Sequence, residues 1–69
     1  MKVKDLFADV RRWVNKSLNL KALNYAKKEA IRIKNKYTNP LYNNKFVKAV
    51  NREYLSVMKL IKSKSKKLS

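Results

Sequence analysis

Cysteine, histidine, glycine and glutamine are all absent from this sequence, and proline occurs once, at Pro40. Without cysteine there is no disulfide framework and no thiolate metal site. The missing histidine takes away the remaining common zinc and iron ligand, every imidazole base and the pH switch near neutrality. No metal or other cofactor is expected. Without glycine no phosphate-cradling Gly-rich loop can form, because such a loop needs backbone N–H groups to approach the ligand with no intervening Cβ. The same lack, with a single proline, argues against a many-turned β fold, whose tight hairpins call for residues that tolerate φ > 0. Apolar runs reach only two or three residues, as in Leu6-Phe7-Ala8. The reading is therefore a chain with neither a membrane span nor a signal-peptide core, expected in the cytoplasm.

Negative charge is the other scarcity. Asp5, Asp9, Glu29 and Glu53 face 19 Lys plus Arg, a formal net charge of +15 on 69 residues. A hydrolase needs two acids converging on a cleft, or a metal held by several oxygens. Asp5 and Asp9 instead lie one helical turn apart on an exposed face, and Glu29 and Glu53 stand in Lys-Lys-Glu and Arg-Glu, the setting of ordinary helix-surface pairing. No catalytic residue is expected. Fifteen Lys to four Arg, with eight Asn, is also the composition that A- and T-rich codons encode.

What is present is a three-and-four spacing of apolar residues over most of the chain. Val3, Leu6, Phe7, Val10, Trp13 and Val14 predict a first helix over about 3–18. Asn19 suits the N-cap of a second, at about 20–37, with Leu18 and Leu23 placed for a hydrophobic staple. Along it Leu23, Ala26, Ala30, Ile33 and Tyr37 form a seam whose alanines admit a close neighbour. Thr38-Asn39-Pro40 ends that helix, since the residue before proline is pushed out of the α region. Asn39 as cap and Pro40 at the first position then open a third helix over about 41–61, with a start near Asn43 or Asn44 as the variant. Its stripe is Phe46, Val47, Val50, Tyr54, Val57, Met58 and Ile61. Residues 62–69 carry four Lys and no acid, a composition read as a basic tail or frayed end that adds charge and little packing.

The expected fold is thus all-α, a small three-helix bundle over 1–61 with a basic C-terminal tail. Trp13, Phe7, Leu23, Ile33, Phe46, Val50 and Tyr54 are the expected core. A homodimer through the seams of the second and third helices is the alternative assembly.

Opposite Val50 and Tyr54, the third helix sets Lys45, Lys48, Arg52, Ser56, Lys59, Ser63 and Lys66 on one side with no acid among them, a stripe of about 30 Å at 1.5 Å per residue. Lys62 adjoins it. The second helix offers Lys21, Asn24, Lys28, Arg32 and Asn35, with Tyr25 beside them as an exposed aromatic. Like charges at three- and four-residue spacing repel within a helix, and a large net charge destabilises a compact monomer. A sequence tuned for folding alone would intersperse Glu, so the stripe implies a polyanionic partner. Lys neutralises phosphate, while Asn can bond to sugar, phosphate or base edges. Arg11-Arg12 beside Trp13 could clamp a phosphate next to a stacked base, but Trp13 shares the face of Leu6 and Val10 and is assigned to the core.

The function expected from this pattern is non-catalytic nucleic-acid binding through phosphate contacts, with DNA or RNA as partner. A helix-turn-helix is a poor match, because the turn holds proline rather than glycine, both flanking helices are long, and the bidentate Arg that reads guanine is scarce. A membrane-active cationic helical protein, of antimicrobial type, on an anionic membrane surface is the alternative, since amphipathic helices and surplus Lys suit such lipids. Docking on an acidic protein surface is a third reading. Small Lys-rich helical proteins of phages, of ribosomes and among bacteriocins share this composition, and a viral chain acting in its host's cytoplasm is within the expectation.

Overall fold

The computed structural model describes residues 2–68; Met1, and Ser69 of the expected tail, lie outside them. Four helices follow in order, α1 (Val3–Leu6), α2 (Ala8–Lys16), α3 (Leu20–Tyr37) and α4 (Asn44–Leu68), with no strand among the described residues. The fold is an all-α small helical bundle, 38 × 16 × 15 Å along its principal axes.

The expected first helix is divided at Phe7, which leaves helical geometry (φ −106°, ψ 6°). No proline or glycine causes the break. Phe7 is fully buried, and burying a phenylalanine contributes about 1.5–3 kcal/mol, against about 0.5–1.5 for one backbone hydrogen bond. The ring's burial offsets part of the cost of interrupting the ladder. The ladder resumes with α2, where the Arg11 N–H donates to the Phe7 carbonyl at 3.0 Å.

At the α2–α3 link the buried Ser17 hydroxyl donates to the Trp13 carbonyl at 2.6 Å, closing the end of α2. The Asn19 side chain then accepts from the Ala22 N–H at 2.8 Å and caps α3 as expected. The staple is not formed: Leu18, the one residue between Ser17 and the cap, is 87 % exposed.

The α3–α4 link corrects a helix boundary. Asn39 does not cap a helix at residue 41. Its side chain accepts from the Leu41 N–H at 3.0 Å, and its carbonyl accepts from the Tyr42 N–H at 3.0 Å, making a turn around Pro40. Asn43 supplies the cap instead, accepting from the Lys45 N–H at 2.8 Å, so α4 begins at Asn44. Tyr37, Tyr42 and Phe46 close over this turn with ring centroids 5.3–6.2 Å apart, within the range of favourable aromatic pairing.

The core comprises Phe7, Val10, Val14, Leu23, Ala26, Ala30, Val50, Val57 and Ile61, with Ile33, Phe46 and Tyr54 partly buried against it. Trp13 departs from the expectation. It is 41 % exposed, because it lies at the margin of the Val10–Val14 stripe, where its ring meets exposed Tyr25 of α3 instead of the core. The C-terminal segment departs too. Residues 62–68 continue α4, Leu68 packs against the core, and the Lys64 ammonium donates to the Asn15 carbonyl at 3.2 Å. They are part of the bundle rather than a tail.

Candidate nucleic-acid interface

Buried Val50, Val57 and Ile61 are seven and four residues apart, so they fix one side of α4 against α2 and α3. The side left outward carries Lys45, Lys48, Arg52, Lys59 and Lys66, all exposed, with Lys62 exposed on its flank. No carboxylate is on this side. Rise per residue gives the stripe a length of about 30 Å from Lys45 to Lys66.

On α3 the burial of Leu23, Ala26 and Ala30 turns Lys21, Asn24, Lys28, Arg32 and Asn35 outward, and all are exposed. Tyr25 is 62 % exposed, as read from its position off the seam. The residues do not form one continuous row. Lys21, Asn24, Tyr25 and Lys28 line a common hollow near the start of α3. Asn24 also belongs to an apolar groove of about 500 Å³ between α3 and α4, where Lys59 and Lys62 stand with Leu23, Leu55 and Met58. The groove therefore joins the α3 set to the distal half of the α4 stripe. Arg32, further along, is held by Glu29 at 3.2 Å.

Neutralisation from within is uneven. The three ion pairs among the described residues, Arg11 with Glu53, Arg12 with Asp9 at 4.0 Å, and Arg32 with Glu29, all take arginines. Arg11 thereby leaves the set of phosphate clamps: its guanidinium is committed to Glu53 and, at 3.2 Å, to the Ser56 hydroxyl. Glu53 in turn is not a local partner of Arg52, since it points to α2 across the bundle. Two lysines also lie against tyrosine rings. Half-buried Lys34 sits 4.9 Å from the centre of the Tyr54 ring and exposed Lys36 5.5 Å from that of Tyr37, both cation–π distances.

From the sequence, Lys27 is not among the expected site residues, and Trp13 is weighed as a stacking ring but assigned to the core. Lys27 lines the α3–α4 groove, and its position on the flank of the α3 seam was the available signal. Trp13 meets Tyr25 with ring centroids 5.3 Å apart, over a hollow shared with Lys16. No group of three or more Asp, Glu, His or Cys among the described residues could hold a metal ion. None of the helices is long and apolar enough to cross a membrane.

The chain matches no family model, no curated protein and no solved structure.

Proposed function

We propose that this is a non-catalytic nucleic-acid-binding protein that holds the phosphate backbone on the outward side of α4, with the Lys21–Lys28 region of α3 as a second contact. One observation carries the reading. The outward side of α4 presents Lys45, Lys48, Arg52 and Lys59 with no carboxylate among them, while Asp9, Glu29 and Glu53 are engaged with arginines on other faces. Such an array repels itself, and a polyanion is the ligand that relieves it by releasing its own counterions. Lys acts as a point charge, so the contacts position the protein on the backbone without reading bases.

A salt titration tests this. With about five or six phosphates neutralised on duplex DNA, log K falls against log salt with a slope near −5. Replacing Lys48, Arg52 and Lys59 together by Glu is expected to abolish binding while helicity is retained, since all three side chains are exposed. Binding that persists in the triple variant, or that shows almost no salt dependence, rejects the reading.

The α3–α4 groove gives the membrane-surface alternative its one supporting observation, for it exposes Leu55 among Lys27, Lys59 and Lys62. Against it, the main apolar stripes are closed on one another in the core, so insertion would have to open the bundle. Dye release from anionic vesicles at concentrations that saturate nucleic acid would favour the membrane.

A further inference from the structure

We infer that Trp13 and Tyr25 form a stacking site for an unpaired nucleobase, so that the protein prefers single-stranded nucleic acid over duplex. The inference rests on the phosphate-binding reading and adds to it the part of the ligand that phosphate contacts leave undefined.

The two rings come from different helices, α2 and α3, and both are exposed, 41 % for Trp13 and 62 % for Tyr25. Their centroids are 5.3 Å apart and their planes are inclined by 48°. Two rings that only clasped the helices together would be expected to sink into the seam. These stand at its margin and wall an open hollow of about 370 Å³ with Lys16, Ser17 and Ala22. The hollow is largely apolar. Its buried hydroxyl, that of Ser17, is already committed to the Trp13 carbonyl at 2.6 Å.

Tyr25 also walls the adjoining hollow, about 450 Å³, with Lys21, Asn24 and Lys28. One ring thus separates a mostly apolar recess, edged by Lys16, from a cationic one, and neither is lined by an acid. This is the alternation a single strand presents, an apolar base next to an anionic phosphate. A base laid against Trp13 and Tyr25 places its phosphate toward Lys21 and Lys28. Duplex bases are stacked on each other inside the helix and cannot enter. The Ser17 hydroxyl is already engaged and Lys16 suits a phosphate, so recognition rests mainly on π-faces, which every base has.

Trp13 is the only tryptophan, and its emission reports the site directly. The full chain is titrated with oligo(dT) and oligo(U) of about 12 nucleotides, within the usual site size of such binders, and with a blunt DNA duplex. Binding itself is followed by anisotropy of labelled strands. Trp13 emission is expected to fall with the single strands and to stay unchanged with bound duplex; quenching by one oligomer alone supports the site and shows which of the two nucleotides it takes. Tyr25→Ala is expected to lower the preference for single strand over duplex by about tenfold, the loss of roughly one stacked base, and Tyr25→Phe to restore it. If single strand and duplex both bind but emission does not change, or if Tyr25→Ala leaves the preference as it was, the stacking site is overturned while phosphate binding stands. If neither bound, both readings would fall together.

Discussion

Glu53 retains 15 % of its side-chain exposure and Arg11 35 %, and their contact ties α2 to α4. A charge pair partly out of water must be kept whole, because removing one member leaves the other without its compensation. Where both are fully buried the loss is about 3–5 kcal/mol. Arg11 keeps some water and its bond to Ser56, so Glu53→Gln is expected to cost about 1–2 kcal/mol. Replacing both residues by Met should recover most of that, since an apolar pair of similar volume has no charge to desolvate. Thermal melts of the single and double variants check this, at about 4–8 °C per kcal/mol for a chain of this size. A double variant no more stable than the single one would show that the hydrogen bonds themselves hold α2 in register. Glu53 lies three residues after Val50 and four before Val57, on the margin of the buried stripe. Its marginal place was legible; its partner, 42 residues away, was not. Trp13 stands at the same kind of margin on α2. Periodicity says which side a residue is on, but at the edge of a stripe the neighbouring helix decides whether the side chain is covered.

At the scale of the element, α4 shows how composition can hide a pattern. Ile61 and Leu68 are seven residues apart, which continues the Val50–Val57 repeat, yet the four lysines between and around them read as a solvated tail. Packing overrides that reading because one leucine per two turns suffices when the helix is already nucleated and propagating costs little. Deleting residues 62–69 is therefore expected to lower the melting temperature as well as to weaken nucleic-acid binding. The two effects can be separated. Leu68→Ala removes packing alone and should cost about 1 kcal/mol, consistent with a half-buried side chain, with the salt slope unchanged. Changing Lys62 and Lys66 to Gln should reduce the slope by about 2, at roughly 0.9 per phosphate contact, and leave the helix in place. If Leu68→Ala did not affect the melt, the last turn of α4 would lie outside the cooperative unit. The α4 start was ambiguous for a different reason. Asn39 and Asn43 offer the same capping chemistry, and the second is used where Tyr42 packs between Tyr37 and Phe46.

For the whole molecule, the balance between repulsion and packing sets how stability responds to salt. A charge of +15 is spread over a body 38 Å long and 16 Å wide. At about 0.01 M salt the Debye length is about 30 Å, so nearly every cation repels nearly every other; at 0.15 M it is about 8 Å, and only neighbours along a stripe still interact. Screening also weakens the ion pairs. Of these, Arg12–Asp9 is wide open to water, with side chains 75 % and 84 % exposed, and such surface pairs contribute about 0–1 kcal/mol at best. Repulsion is the larger sum, so added salt is expected to raise the melting temperature of the protein alone. With nucleic acid present the sign is expected to reverse. A ligand that binds only the folded state stabilises it by about 2.7 kcal/mol at a hundredfold excess over its dissociation constant, and salt erodes that constant with the steep slope of counterion release. Melting curves at matched salt concentrations, with and without an oligonucleotide, should therefore converge as salt rises, one ascending and the other descending. Curves that instead ran parallel would mean that the stripe on α4 does not exchange counterions with the ligand. A fall in the melting temperature of the protein alone would mean that its cations are paired in solution, as they would be across a dimer.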